Sequence, residues 1–120
     1  MKQNKNNVAE HINLLRNNII DIWGEARNMF VLLENFLAAS DKIDIESLEK
    51  INKKIKRRLF LFDEENAKII TDTKLEDNDI RFILGGMRLV SDFERISLKI
   101  IKFSCLYNSI ISISFFLFLR

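Results

Sequence analysis

The chain has 120 residues, of which 48% are hydrophobic and 30% charged, and its formal net charge is only +2. This balance is typical of one globular domain, excludes a disordered chain, and by itself gives no reason to expect a nucleic-acid partner. The sequence contains no proline, three glycines and one cysteine, Cys105, which permits long helices and excludes an internal disulfide or a multi-cysteine zinc site.

Residues 8–39 form the first predicted helix. Apolar side chains recur along it at steps of three and four, which places them on one seam: Ile12, Leu15, Ile19, Ile22, Ala26, Met29, Leu33 and Phe36. Four more widen the stripe: Leu14, Trp23, Phe30 and Leu37. A helix of this length, about 45 Å, is marginal by itself, so its seam must pack against helices of similar length.

The second predicted helix follows a break at Ser40, Asp41 and Lys42 and extends to about Thr71. Asp44 is its expected N-cap. Its seam contains Leu48, Ile51, Ile55, Leu59, Phe62 and Ile69. Asn66 occupies a position where this spacing predicts an apolar side chain, so the seam is less complete than that of the first helix.

The third predicted helix begins near residues 77–79, after a polar break. It carries two adjacent apolar stripes, which indicates burial against two neighbours: Ile80, Ile83, Met87 and Val90 in one, and Phe82, Leu89, Phe93, Ile96, Ile100 and Phe103 in the other. Gly85 and Gly86 disfavour a helix interior, so we expect both to permit a close helix approach. Three long helices with short connections predict an all-α, antiparallel three-helix bundle in an up-down-up arrangement.

Residues 103–119, here called the apolar tail, contain no charged side chain and precede Arg120. Three interpretations remain open: a continuation of the third helix, a membrane anchor somewhat short of the usual span length, and a truncated or frame-shifted end after about Ser104. We therefore divide the chain into a three-helix domain, residues 8–104, and residues 105–120. An exposed apolar tail would also favour contact between two copies of the chain.

Side chains that could support catalysis are scarce. His11 is the only histidine, and its position predicts a solvated helix residue. Cys105 has no histidine or cation cluster nearby in sequence, so we expect it to be buried and unreactive. There is no glycine-rich phosphate loop or pair of histidines on one helix. The sequence predicts neither an enzyme nor a bound metal or cofactor.

A basic run extends from Lys50 to Arg58. Four of its cations share one helical face: Lys50, Lys53, Lys54 and Arg57. This face either is simply solvated or binds an anionic partner, such as a phosphate, a lipid headgroup or an acidic protein surface. Acidic residues 63–65 follow closely and would partly neutralise it.

Residues 79–96, DIRFILGGMRLVSDFERI, resemble the signature of the PhoU family, in which Asp-Leu-Arg opens the third helix of a repeat and Asp-Leu-Glu-Arg-Ile follows. The helix pattern over residues 8–104 is similar to one such repeat. The matching polar positions are Asp79, Arg81, Asp92, Glu94 and Arg95. We expect these five side chains to cap or pair between helices and to share in partner contacts.

The resemblance implies a regulator of phosphate uptake and phosphate-responsive signalling. Its partners would be a phosphate ABC transporter and a sensor kinase. The single cysteine and the polar first seven residues, which lack the apolar core of a signal peptide, predict a cytoplasmic location, which can include the face of the inner membrane. Because family members usually carry two repeats, this single repeat predicts a homodimer or larger homo-oligomer. The other hypotheses are a truncated, non-functional PhoU remnant, a membrane-associated helical protein, and a metal-dependent phosphohydrolase built on Asp92 and Glu94.

Family members can also hold a metal cluster on carboxylate pairs of the second and third helices. The corresponding positions here are Asn52 with Lys56, and Glu94 with Leu98. Both pairs are broken, and a lysine would repel a cation. We therefore expect no metal in spite of the resemblance.

Overall fold

The computed structural model describes residues 2–40, 42–72 and 74–119, in which three helices occur: α1 (Lys2–Ala38), α2 (Ile45–Asp72) and α3 (Asp77–Phe118). Each helix packs against the other two, and the described residues contain no strand. The predicted all-α three-helix bundle is confirmed. Asp41 and Thr73, placed in the two predicted breaks, and Arg120 lie outside the described residues.

Cross-helix contacts give the direction of each helix. Asp21 of α1 pairs with Arg58 of α2 at 3.6 Å, and His11, nearer the start of α1, contacts Asn66, farther along α2. The two helices are therefore antiparallel. α3 returns antiparallel to α2, because Asn52 meets Ser97 and the later residue Asn108 meets Ile43. The resulting rod measures 76 by 19 by 19 Å.

The core is a column of apolar side chains along the bundle axis. It contains Leu15, Ile22, Ala26, Met29, Ile43, Leu48, Ile55, Phe62, Ile83, Val90 and Ile100. All eight residues of the predicted α1 seam are buried or half-buried. The four that were expected to widen this seam are instead exposed, because α2 and α3 together cover only one side of α1.

Asp44 caps the start of α2, as the sequence predicts. The Ser47 backbone N–H donates to Asp44 Oδ1 at 3.4 Å, and the Ser47 hydroxyl donates to Asp44 Oδ2 at 2.7 Å. These hydrogen bonds favour the carboxylate and lower the pKa of Asp44 below its ordinary value. At the start of α3, Glu76 makes no side-chain cap, but two acids, Asp77 and Asp79, lie in the first turn, where the helix dipole favours negative charge.

Only one of the two mid-helix glycines permits a close approach. A Cβ built on Gly86 would lie 3.0 Å from Ile19 Cδ1 and 3.6 Å from the Phe62 ring. A Cβ built on Gly85 would meet nothing within 4 Å. The expectation that both glycines serve helix packing is therefore wrong for Gly85, which faces solvent one position away from the seam.

Two buried asparagines join the helices. Asn52 Nδ2 on α2 donates to Ser97 Oγ on α3 at 2.7 Å, and the Ser97 hydroxyl donates in turn to the Glu94 carbonyl oxygen. At the end of the bundle, Asn108 accepts from the Ile43 backbone N–H at 2.7 Å and donates to the Ile43 carbonyl oxygen at 2.8 Å. These contacts fix how α3 is placed along its neighbours.

Two expectations about single residues are corrected. His11 is half-buried, and its Nε2 lies 3.1 Å from Asn66 Oδ1, because Asn66 is fully buried at the α1–α2 seam and needs a polar partner there. Among the described residues, the Asn66 amide nitrogen has no hydrogen-bond partner. Cys105 is exposed instead of buried, because the α3 seam passes through the neighbouring residue Ser104.

We expect Asn108→Ala to lower the free energy of unfolding by about 2 kcal/mol, because it leaves the buried backbone groups of Ile43 without partners. Urea unfolding followed by circular dichroism measures this change. The control is Ser109→Ala, which removes an exposed hydroxyl bonded within α3 and should change stability by less than about 0.5 kcal/mol. Equal effects would contradict the structural role of Asn108.

Replacing each glycine by leucine separates their roles. Gly86→Leu should destabilise the bundle by about 1–3 kcal/mol, since the added side chain has no space beside Ile19 and Phe62. Gly85→Leu should instead preserve or raise stability, because leucine favours a helix more than glycine by somewhat less than about 1 kcal/mol. Thermal unfolding of both variants measures the difference, and the reverse order would refute the packing at Gly86.

Candidate docking surface

The five polar positions of the signature point in different directions around α3 and do not converge on a site. Asp79, Asp92 and Glu94 are half-buried, and Arg81 and Arg95 are exposed. Arg95 Nη1 lies 3.9 Å from Asp92 Oδ1, one turn earlier in the same helix. The sequence led us to expect pairing between helices, but this pair lies within α3. Because both side chains are solvated, the pair contributes little to the stability of the bundle.

Two pairs of residues occupy the positions at which family members hold a metal cluster: Asn52 with Lys56, and Glu94 with Leu98. Their side chains do not suit a metal ion. Asn52 is buried and uses its amide to bind Ser97, and Lys56 on the same helix is exposed. Across from them, Glu94 is half-buried and Leu98 is exposed. One carboxylate beside an amide, a lysine and a leucine is a poor donor set for a transition metal. Among the described residues, no group of three or more His, Cys, Asp or Glu side chains could hold a metal ion.

The basic face of α2 lies beside acidic residues of α1. Its four cations, Lys50, Lys53, Lys54 and Arg57, are all exposed. Lys54 and Arg57 line a shallow depression together with Arg58, Leu61 and the α1 residue Glu25. Arg58 already pairs with Asp21. Acids of α1 thus offset part of the positive charge, and no enclosed anion pocket is formed there.

Two acidic side chains farther along α2, Asp63 and Glu65, have different surroundings. Partial burial raises the pKa of Asp63 above its ordinary value. Glu65 accepts a long hydrogen bond, 3.5 Å, from the Asn18 amide of α1. Each acid has its own surroundings on an exposed surface, so neither offers a paired carboxylate for acid–base chemistry.

An apolar groove runs between the parallel helices α1 and α3. We call it the α1–α3 groove, and it is lined by Phe30, Leu33, Leu37, Ile96, Lys99, Ile100 and Phe103. Phe30 and Phe103 are 46% and 47% exposed, so large apolar surfaces face solvent here. Lys99 is the only charged residue in the lining. A groove of this composition suits the apolar side of a protein helix.

Aromatic residues extend this surface along the rod. The rings of Trp23 and Phe93 lie with centroids 5.5 Å apart, across the α1–α3 boundary, and Trp23 remains 47% exposed. Farther along, the Arg16 guanidinium lies 5.7 Å from the centroid of the Phe82 ring. Sequence reasoning had assigned Trp23 and Phe30 to a wider buried stripe and so missed this open face. Trp23 and Phe30 are seven residues apart, which is about two helical turns, so they lie on the same side of α1, outside the buried seam.

The apolar tail continues α3 as a helix to Phe118. α3 is also long and apolar enough in part to cross a membrane, judged by length and composition alone, and only 11% of its most apolar 18-residue stretch is buried. The core helix of a soluble bundle would bury most of such a stretch. The tail therefore shares Phe103 with the α1–α3 groove and continues the exposed apolar surface beyond it.

Comparison with protein-family models, with curated proteins and with solved structures found no match for this chain.

We expect the purified chain to bind no transition metal in stoichiometric amount. Dialysis against iron(II) or zinc(II), followed by elemental analysis, measures this. Glu94→Gln should leave any residual metal content unchanged, because the side chains opposite Glu94 do not complete a ligand set. One metal or more per chain, lost in Glu94→Gln, would contradict this prediction and would support a metal-dependent phosphohydrolase.

Proposed function

We propose that this chain is a PhoU-like regulator of phosphate uptake and phosphate-responsive signalling, which acts by docking onto other proteins. The observation that carries the proposal is the placement of residues 79–96 within one helix of a three-helix bundle, as the family resemblance requires. Gly86, in the small-residue pair of that motif, supports it further, because it occupies the close approach of α3 to Ile19 and Phe62.

Protein contact is favoured over catalysis by the character of the surfaces. The α1–α3 groove exposes large aromatic and aliphatic side chains, which are typical of the centre of a protein interface. The described residues offer no cluster of metal-ligating side chains, and the signature acids do not converge. The proposed partners are a phosphate transporter and its sensor kinase, together with a second copy of the chain.

Residues 8–104 carry this regulatory role in the proposal. Their well-packed core, with side chains such as Ile22, Ile55 and Val90 completely buried, supports a working domain in preference to a decayed remnant. A remnant under no selection accumulates polar or undersized residues in such positions, since most random core substitutions destabilise. The cytoplasmic face of the inner membrane is the proposed site of action.

Deleting the gene tests the regulatory role. In phosphate-rich medium, loss of the protein should change expression of a phosphate-starvation reporter by about tenfold or more, and the intact gene should restore it. A change of that size is expected from loss of a coupling of about 1.4 kcal/mol between regulator and partner. No change in the reporter under either phosphate condition would contradict the proposal and favour the remnant.

A matched pair of variants tests the α1–α3 groove. Phe30→Glu places a charge in the apolar lining and should abolish restoration of the reporter. Phe60→Glu alters an even more exposed phenylalanine on α2, 63% accessible and outside the groove, and should restore it fully. Circular dichroism must show equal helicity for both proteins. Loss of function in both variants, or in neither, would remove the groove from the proposal.

A further inference from the structure

The charges in the middle of α2 change sign once along the helix. Lysine or arginine occupies positions 53, 54 and 56–58, four large apolar residues follow at 59–62, and acids occupy positions 63–65. The charged side chains at 54, 57, 58, 64 and 65 are exposed. Leu61, in the apolar segment, is itself 48% accessible. The exposed surface is therefore basic on one side of Leu61 and acidic on the other.

Two shallow depressions lie side by side on this surface and share Leu61. The first, here called the basic depression, has a volume of about 350 Å³ and is lined by Leu61, Lys54, Arg57, Arg58 and the α1 residue Glu25. The second, here called the acidic depression, has a volume of about 620 Å³ and is lined by Leu61, Glu64, Glu65, Ala67, Lys68 and Thr71. Phe60, next to Leu61, is more exposed, at 63%, but it lines neither depression.

Charges of both signs are left available to a partner. Arg58 pairs with Asp21 of α1, but Arg57 and Glu64 take part in no ion pair among the described residues. The positions four residues after Arg57 and four before Glu64 are both apolar, so pairing one turn away along the helix cannot join the basic charges to the acidic ones.

We propose that a second copy of the chain packs against this surface about a two-fold axis that passes beside Leu61. Such an axis makes the two α2 helices antiparallel and places residues equally far from Leu61, on opposite sides of it, against each other. Arg57 then lies opposite the partner's Glu65, and Arg58 lies opposite the partner's Glu64. Each of these contacts occurs twice, and the two copies of Leu61 meet on the axis.

The occupant is a second copy because the surface is complementary to itself. An anionic lipid or an acidic protein on the basic depression would also meet Glu65, which is about 6 Å beyond Leu61 along the helix, closer than the screening length of about 8 Å in physiological salt. A partner with the reverse order of charges meets both depressions favourably, and rotation of this same surface by 180° supplies that order. Lys54 and the partner's Lys68 also approach each other, which limits the affinity.

This inference rests on the proposed function only in naming the contact for the second copy of the chain. The two depressions share no residue with the α1–α3 groove. Phe30→Glu should therefore form dimers like the original chain even where it fails to restore the reporter. Sedimentation and the reporter can thus fail separately.

Sedimentation equilibrium of the purified full chain measures the contact. We expect a monomer–dimer equilibrium whose dissociation constant rises at least about threefold between about 50 mM and about 500 mM salt, because exposed ion pairs are screened. Leu61→Glu should raise the constant at least about tenfold, since two carboxylates would meet on the axis. The matched control, Phe60→Glu, adds the same charge one residue away, outside both depressions, and should form dimers like the original. Dimers that persist in Leu61→Glu, or that are lost equally in both variants, would overturn the proposal.

Exchange of the charges identifies the surface that each copy meets. Lys54→Glu with Arg57→Glu makes both depressions acidic, and Glu64→Lys with Glu65→Lys makes both basic, so each double variant alone should be a monomer. Mixed in equal amounts, the two should form a heterodimer, because every depression then faces one of opposite charge. Circular dichroism should show the helicity of the original chain in both.

Two results would contradict the two-fold contact. One is the absence of a heterodimer from the mixture of the two folded double variants. The other is an original chain that remains a monomer and floats with vesicles containing phosphatidylglycerol but not with vesicles of phosphatidylcholine alone, which would assign the basic depression to anionic lipid.

Discussion

The bundle depends on three long amphipathic helices burying their seams against one another at a fixed longitudinal position. None of them is stable in isolation, because most helical stability in water comes from tertiary packing. Apolar packing alone tolerates sliding by one turn of a regular seam. The buried amides of Asn52 and Asn108 oppose such sliding, because each has one matching partner on the neighbouring element and would be left unsatisfied in any other position.

Two surfaces follow from that arrangement. α3 lies parallel to α1, and its position along α1 is fixed. The outer apolar side chains of the two helices therefore lie side by side and form the α1–α3 groove. The same constraint ends the bundle near Ile43 and Asn108, and α3 continues beyond it with residues that are exposed except for the half-buried Ile111. One surface is long, shallow and lined on two sides, as suits a protein helix. The other is the last part of α3, whose large apolar side chains are mostly exposed.

Much of the fold was predictable from the sequence, because long seams at steps of three and four leave few alternatives. The three helices, the cap at Asp44 and the seam of α1 all follow from local patterns. The buried polar contacts did not. Asn52 and Asn66 occupy regular seam positions of α2, spaced four and three residues from their apolar neighbours, and this was the available signal. The partner of each amide lies on another helix, Ser97 on α3 for Asn52 and His11 on α1 for Asn66. The spacing of residues within α2 does not specify these partners.

The exposed apolar surfaces were less predictable for a related reason. A stripe of apolar residues looks the same in sequence whether a third helix covers it or solvent reaches it, so Trp23 and Phe30 were assigned to the interior. In a bundle of only three helices, two neighbours cover one side of α1, and the side chains of Trp23 and Phe30 lie outside that side. The side chains at the positions of the two metal-binding pairs needed no geometry to judge, because Asn52, Lys56 and Leu98 are not carboxylates in any fold.

The uninterrupted course of α3 has a mechanical consequence. From Asp77 to Phe118 the helix contains no proline and no break, so its length of about 60 Å forms one stiff rod. Asn52 and Asn108 hold this rod at two levels, and its seam is buried between α1 and α2. A force applied to the last turns of α3 would therefore be carried into the whole bundle and not be absorbed by bending of the helix.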